Sequence, residues 1–166
     1  VIILARNVER AKRLKTGGAI GQLTAIAGNA QIDADLLSVI SPAEIVINLV
    51  GILAPSGQQT FAALQAELPA RIGRMAKEIG CHQVVHVSAL GAKLKSQSTY
   101  ARTKAEGERG LLRQFPDAVI MQPSIIFGPG DNFFNRFGQM AMFSPALPLI
   151  GGGTSLMQPV YVGDVA

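Results

Sequence analysis

Five short apolar runs constrain the fold of this chain more than any other feature of its sequence. They are VIIL at 1–4, LTAIA at 23–27, IVINLV at 45–50, VVHVS at 84–88 and AVIMQ at 118–122. Runs this short, without polar alternation, are typical of strands buried on both faces of a parallel sheet. Between them lie stretches with helical spacing, at 8–15, 34–40, 60–79 and 100–115. This alternation predicts right-handed crossovers and an α/β fold, with a doubly wound parallel sheet covered on both sides.

Proline and glycine residues interrupt this pattern at two places. Pro69 lies inside the helical stretch 60–79, where it removes a backbone donor, so we expect a kink or a fresh helix start there. After Pro123 the alternation is lost, and we expect residues 128–166 to leave the sheet. The aromatic stretch NFFNRFGQMAMF at 132–143 is more typical of a core, although a surface for a partner or a membrane is the alternative.

Composition excludes several classes of protein. The chain has 166 residues, which suits one domain, and 48% of them are hydrophobic, which is enough for a packed core. No apolar run approaches the roughly 18 residues of a membrane-spanning helix, so we predict no transmembrane segment. The net charge of +4 is dispersed rather than gathered in a basic stripe, so we predict no nucleic-acid partner.

The start of the chain and its single cysteine bear on its origin. No initiating Met and no targeting signal are present, so we expect an internal fragment of a longer protein. Cys81 has no second cysteine with which to form an internal disulfide, which agrees with a reducing compartment. The bacterial cytoplasm and the mitochondrial matrix both meet that condition.

Tyr100 and Lys104 are candidate catalytic residues. They are four residues apart in a helical stretch, so both can project into one cleft. A nearby ammonium favours the phenolate and lowers the pKa of tyrosine, which could then exchange a proton with a carbonyl or an alcohol as hydride moves. The pair alone is a weak signal, and two solvated side chains are the alternative. The surrounding order is more informative: a strand ends at Ser88, this helix follows, and the next strand leads to QPSIIFGPGD.

That order resembles the extended and atypical short-chain dehydrogenase/reductase superfamily, which includes the NAD-dependent epimerases and dehydratases. The stretches NLVGIL, VVHVSALGA, YARTKAEGE, PSIIFGPGDNFFNRF and QPVYVGDVA resemble the branch that contains the NADPH-binding accessory subunit of respiratory complex I and its bacterial relatives. The resemblance implies a partial NAD(P)-binding domain of Rossmann type over 1–166, without the family's first strand and Gly-rich turn. Residues 128–166 would then begin the substrate-side region.

The resemblance also implies a set of site residues. Tyr100, Lys104 and Ser88 would take the catalytic positions and would also bind the cofactor. Pro123 and Ser124 would lie beside the nicotinamide. The remaining cofactor-binding candidates precede this helix; they are Arg6, Asn29, Asn48, Val50 and Gly51. Asn48, Val50 and Gly51 would pass beneath the cofactor, and Asn29 would approach the adenine unless it is an ordinary turn residue.

Arg6 bears on the choice of cofactor. It follows the strand after which NAD-specific proteins usually carry an acidic residue for the ribose diol. A guanidinium at that place can pair with a 2'-phosphate instead, which favours NADP(H) over NAD(H). A solvated residue at the start of a helix is the alternative.

Ala89 departs from the family pattern. The strand before the catalytic helix commonly ends in two serines in these families, whereas this chain has Ser88 followed by Ala89. Loss of a preorganised donor can cost on the order of a hundredfold in rate. We therefore favour a structural nucleotide in a domain that docks onto complex I subunits. That domain would lie in the bacterial cytoplasm, peripherally at the inner membrane, or on the matrix side of the inner membrane in a eukaryote. An active oxidoreductase or sugar-nucleotide epimerase remains the alternative.

Cys81, His82 and His86 suggest a metal site only superficially. His82 and His86 enter or lie on a strand, where their spacing does not bring ligands together as it would on a helix. We predict no metal and interpret both histidines as packed or surface residues.

Overall fold

A computed structural model describes residues 1–12, 19, 21–131, 133–143, 154 and 156–166. They form two compact units, Val1–Met121 and Gln122–Ala166. The predicted helix residues 13–15 lie outside the described residues. The assignment of 128–166 to a substrate-side region stays a prediction.

All paired strands of the first unit are parallel, as predicted. Strands β1 (Ile2–Ala5) and β2 (Thr24–Ala27) form one pair. Strands β3 (Ile45–Asn48), β4 (Gln83–Val87) and β5 (Val119–Met121) form a three-stranded sheet with β4 in its centre. Each strand lies within about two residues of its predicted bounds. Because the strands are parallel, their carboxyl ends meet at one edge of each sheet.

Among the described residues, four α-helices lie in the connections between these strands. They are α1 (Val8–Lys12), α2 (Asp33–Ile40), α3 (Leu68–Ile79) and α4 (Thr99–Gln114). A π-helical segment, Ala62–Glu67, leads directly into α3, and Pro69 lies in the first turn of α3. The fresh start expected at Pro69 is therefore found. Ser98 is the N-cap residue of α4, because its side-chain oxygen accepts a hydrogen bond from the N–H of Ala101.

The core lies on one face of the three-stranded sheet. Val84 on β4 is fully buried in a cluster with Ile72 of α3 and Leu111 of α4. The opposite face carries Ile45 and Ile47, which are 56% and 61% exposed. The apolar pattern of the strands predicts that helices cover both faces of the sheet. The described helices of this unit cover one face of the three-stranded sheet.

Four short elements lie in the described part of the second unit. They are β6 (Ile126–Phe127), α5 (Phe134–Phe143), β7 (Val160–Tyr161) and α6 (Val162–Val165), and β6 pairs with β7 in parallel. Phe127 contacts the rings of Phe134 and Tyr161. Met142 and Phe143 at the end of α5 are exposed. Phe134 and Tyr161 are themselves 42% and 43% exposed, so the rings contact one another without forming a buried core, and the end of α5 presents an apolar surface.

Candidate dinucleotide site

Lys104 reaches from α4 to the carboxyl end of β4. Its ammonium donates a hydrogen bond to the carbonyl oxygen of Val87 over 3.0 Å, and the residue is only 4% exposed. Burial lowers the pKa of Lys104, while the negative charge of Glu108 acts in the opposite direction. A Cβ atom added to Gly51 would lie 3.4 Å from this ammonium nitrogen. The cation therefore lies at the sheet edge, against the loop that follows β3.

Tyr100 precedes Lys104 by one turn and is half-buried. Its ring packs edge-on against Phe61, with 6.1 Å between ring centroids. Burial raises the pKa of the Tyr100 phenol. This direction is opposite to the one expected from an ammonium neighbour, because removal of the phenol from water disfavours the phenolate. The arrangement therefore favours a neutral phenol.

A cavity of about 230 Å³ lies where the loops after β1, β2 and β3 meet. Four predicted cofactor-binding residues line it: Arg6, Asn29, Val50 and Gly51. The rest of its lining consists of Leu4, Gly28, Ala30, Gln31, Leu49, Ile52, Gln59 and Leu64. The parallel topology thus brings Arg6 together with Asn29 and Val50, which are far from it in sequence. They meet at the edge where open α/β sheets bind their ligands.

Asn29 also performs an ordinary structural role. Its side-chain oxygen accepts a hydrogen bond from the N–H of Gln31 over 3.0 Å, which closes a local turn. Its own N–H donates to the carboxylate of Asp35 over 2.7 Å. Asn29 therefore fits the turn interpretation, and its position in the cavity lining is also compatible with an adenine contact.

Asn48 lies beneath the loop that follows β3. It is buried, and its side-chain oxygen accepts a hydrogen bond from the N–H of Val50 over 3.0 Å. Its amide nitrogen lies 3.0 Å from Nδ1 of His86, the residue opposite it in the parallel register. Asn48 therefore shapes the cavity wall through Val50.

Ser88 follows β4 directly and is 5% exposed. Its N–H donates to the carbonyl oxygen of Met121 over 2.7 Å, which extends the pairing of β4 with β5. Its hydroxyl and Nε2 of His86 are buried without a hydrogen-bond partner among the described residues. His86 is thus a packed histidine, as expected, and Ser88 remains a candidate catalytic hydroxyl.

Sequence reasoning missed Gln65 and Thr103. The amide nitrogen of Gln65 donates to the carbonyl oxygen of Ile52 over 2.6 Å, and its side-chain oxygen accepts a hydrogen bond from the Thr103 hydroxyl over 2.9 Å. Both residues are buried. The available signal was a polar residue at helical spacing from the apolar Leu68 and Ile72.

Pro123 and Ser124 belong to the second unit, so their role beside a nicotinamide stays a prediction. Within the ranges described, no group of three or more potential metal ligands comes together. In those same ranges, every helix is too short or too polar to cross a bilayer.

Comparisons with known proteins extend this description. No protein-family model matches the chain. The mitochondrial NADH dehydrogenase [ubiquinone] 1 alpha subcomplex subunit 9 of Mus musculus is 36% identical over 154 residues, covering 92% of this chain and 41% of the mouse protein. The ceramide reductase of Caulobacter vibrioides is 31% identical over 124 residues, covering 75% of this chain and 38% of the reductase.

A solved structure supports the fold. The dTDP-glucose 4,6-dehydratase of Streptomyces venezuelae, a double mutant crystallised with NAD, superimposes with a TM-score of 0.80 at 19% identity. The match covers 99% of this chain and 59% of the dehydratase. An identity this low carries the fold alone.

The parallel sheet and its superposition define a Rossmann-type α/β fold that corresponds to part of the epimerase/dehydratase fold. The chain belongs to the extended and atypical short-chain dehydrogenase/reductase superfamily. Within it, the chain falls in the branch that contains the alpha subcomplex subunit 9 proteins. It spans about two fifths of the length of those curated relatives, at 41% and 42%.

Proposed function

We propose that this chain is the nucleotide-binding part of an NADP(H)-binding accessory subunit of respiratory complex I, in which the nucleotide is structural. The observation that carries the proposal is the convergence of Arg6, Asn29, Val50 and Gly51 on one cavity at the sheet edge. The 36% identity to the mouse complex I subunit supports the choice of assembly.

Arg6 supports NADP(H) rather than NAD(H) as the nucleotide. It is exposed, it lines the cavity, and it follows β1 at the place where a ribose is expected. A guanidinium can bind a 2'-phosphate through two parallel hydrogen bonds, which an acidic residue at that place would repel. Tyr100 and Lys104 would hold the nicotinamide ribose at the other end of the nucleotide.

The state of Tyr100 supports a structural role for the nucleotide. A phenol whose pKa is raised by burial is a weaker acid, so it gives up its proton less readily near neutral pH. Ala89 supplies no hydroxyl where the family commonly places a second donor. Hydride transfer to a carbonyl needs both a proton source and stabilisation of the developing oxyanion, so both features disfavour turnover.

The proposed place of action follows from the relatives. The mouse relative is mitochondrial by name, so in a eukaryote the protein would dock on the matrix side of complex I. In a bacterium it would be cytoplasmic and would associate peripherally with the inner membrane through the same complex.

An active NAD(P)-dependent oxidoreductase or sugar-nucleotide epimerase is the second candidate function. The buried ammonium of Lys104 one turn from Tyr100 favours it, as does the similarity to a ceramide reductase. Tyr100 would then serve as acid and base, Lys104 as its electrostatic and ribose-binding support, and Ser88 or Ser124 as the hydrogen-bonding hydroxyl.

The test uses the full-length protein. Nucleotide released from the purified protein is identified by mass spectrometry, and NADPH oxidation is followed with a panel of aldehydes, ketones and sugar nucleotides. Bound NADPH that stays reduced supports the structural role. Turnover that Tyr100→Phe abolishes and Tyr161→Phe preserves supports the enzyme instead. Absence of both bound and titratable nucleotide overturns both candidates, and failure to copurify with complex I subunits overturns the proposed assembly.

A further inference from the structure

The loop that follows β3 is fixed near both ends by buried polar side chains. On the sheet side, Val50 contacts Asn48, which in turn contacts His86 of β4. On the helix side, Ile52 contacts Gln65, which in turn contacts Thr103 of α4. Val50, Gly51 and Ile52 all line the cavity described above. We name the two sets of contacts the sheet relay and the helix relay.

The sheet relay has one consistent set of donors. Because the N–H of Val50 donates to Oδ1 of Asn48, the side-chain nitrogen of Asn48 must face His86. That nitrogen can only donate, so Nδ1 of His86 accepts and the imidazole proton lies on Nε2. The relay thus requires a neutral imidazole.

The surroundings of His86 maintain that neutral form. The residue is fully buried, and the ammonium of Lys104 adds a positive charge nearby. Burial and then this charge lower the pKa of His86 to about 4. Nδ1 therefore remains an acceptor for Asn48 at physiological pH.

The helix relay connects the other end of the loop to the helix that carries Tyr100 and Lys104. Thr103 adjoins Lys104, and its one hydroxyl proton is shared between the side-chain oxygen of Gln65 and the backbone carbonyl oxygens of Thr99 and Tyr100. The amide of Gln65 donates to the carbonyl oxygen of Ile52. A Cβ at Gly107, one turn further along α4, would overlap the carbonyl oxygen of Gln65. The glycine therefore allows the close approach on which this relay depends.

We propose that His86 and Gln65 are positioning residues that preorganise the 50–52 loop for the nucleotide, without touching the nucleotide themselves. The effect on NADPH affinity rests on the proposed nucleotide binding, whereas the ordering of the loop can be measured in the nucleotide-free protein. A loop that is ordered before binding removes an entropic cost from association, so loss of either relay weakens affinity.

Gln65→Glu in the full-length protein tests the helix relay. A protonated glutamic acid reproduces both hydrogen bonds, because its O–H donates to Ile52 and its other oxygen accepts from Thr103. The ionised form cannot donate. Residue 65 is fully buried, so we expect the pKa of the introduced carboxyl to lie well above its ordinary value of about 4.3. NADPH affinity should then be close to wild type at the acid end of a titration from pH 5.5 to 8.5, and about tenfold weaker once the carboxyl ionises.

Gln83→Glu is the matched control. The amide of Gln83 also donates to a backbone carbonyl, that of Asp117, over 2.8 Å, but at the amino end of β4. We expect the pH profile of its NADPH affinity to follow wild type. A fall in affinity in Gln65→Glu that is the same at every pH, or that Gln83→Glu shares, would indicate general damage and overturn the inference.

Amide hydrogen exchange of residues 50–52 in the nucleotide-free protein separates this inference from the proposed function. Exchange that is faster in Gln65→Glu than in wild type only at the alkaline end supports the relay, even if the wild-type protein binds no NADPH. Unchanged exchange and unchanged affinity together overturn it. For the sheet relay, a ¹⁵N spectrum that places the proton of His86 on Nδ1 would contradict the assigned donors.

Discussion

Lys104 of α4 donates a hydrogen bond to the carbonyl oxygen of Val87, the last residue of β4, over 3.0 Å. A buried ammonium needs polar partners to offset its loss of hydration. An ammonium has three donors, and Val87 accounts for one of them. A ribose hydroxyl bound beside Gly51 could accept another, which links the position of this cation to nucleotide binding.

Lys104→Met tests that link. We expect NADPH to bind about tenfold more weakly, because a charge-assisted hydrogen bond contributes roughly 1.5–3 kcal/mol. The melting temperature should stay near that of wild type, because methionine fills similar space and removes a desolvated charge. Lys77→Met, on the exposed end of α3, is the control. Unchanged NADPH affinity in Lys104→Met would remove the residue from the site.

Arg6→Ala tests the choice between the two nucleotides. We expect NADPH affinity to fall by about tenfold or more while NADH affinity changes little, because only NADPH carries the 2'-phosphate. Parallel calorimetric titrations with both nucleotides give the ratio of NADPH affinity to NADH affinity. Arg10→Ala, four residues further on and within α1, removes an equivalent exposed charge and should leave the ratio unchanged. Equal losses for both nucleotides would exclude a specific phosphate contact.

Gly107→Ala tests the close packing of α4 on the π-helical segment. The added Cβ would overlap the Gln65 carbonyl and lie 3.0 Å from a carbon of Pro69, so we expect destabilisation of about 2 kcal/mol or more. Gly138→Ala is a suitable comparison, because its Cβ meets no described atom within 4 Å and alanine favours a helix. Urea unfolding of both variants measures the difference. Equal stability would mean that α4 lies further from this segment than described.

His86 predicts a pH dependence of stability. Its pKa of about 4 in the folded protein lies below the ordinary value of 6.5, so between these values the unfolded chain binds more protons. The free energy of unfolding should therefore rise with pH across this window, and the His86 imidazole should contribute about 3 kcal/mol to that rise. Urea unfolding at pH 7 and pH 4 measures the change.

The control for this pH dependence is His86→Asn, which keeps an acceptor for Asn48 but does not titrate. Its decline in stability towards pH 4 should be smaller than that of wild type by about the same 3 kcal/mol. His82→Gln, at an exposed position, should retain the wild-type slope. A slope in His86→Asn equal to that of wild type would assign the effect to other groups.

The order and direction of the strands could be predicted from the sequence, because each apolar run is short and each connection is long enough for a helix. Val50 and Gly51 could be placed at the sheet edge for the same reason, since they follow a strand directly. Arg6 follows another strand, and parallel topology brings these loops together.

The two relays could not be predicted, because each depends on a contact between residues far apart in sequence. His86 meets Asn48 only through the register of β3 and β4, which an apolar pattern does not specify. Gln65 meets Thr103 only because α4 approaches a π-helical segment, whose spacing differs from that of an α-helix. The pKa of Tyr100 likewise depends on burial beside Phe61, which the helical spacing alone did not reveal.

The described strands belong to separate ladders: β1 pairs with β2, and β3 pairs with β4. Among the residues that the structure describes, no backbone pairing joins β1 to β3, although Arg6 and Gly51 line one crevice. Side-chain packing connects the two ladders instead, because Leu4 of β1 and Val46 of β3 both pack against the buried cluster that contains Leu36 and Ile40. We therefore expect Leu36→Ala to change the distance between Arg6 and Gly51, although Leu36 is not among the residues that line the crevice.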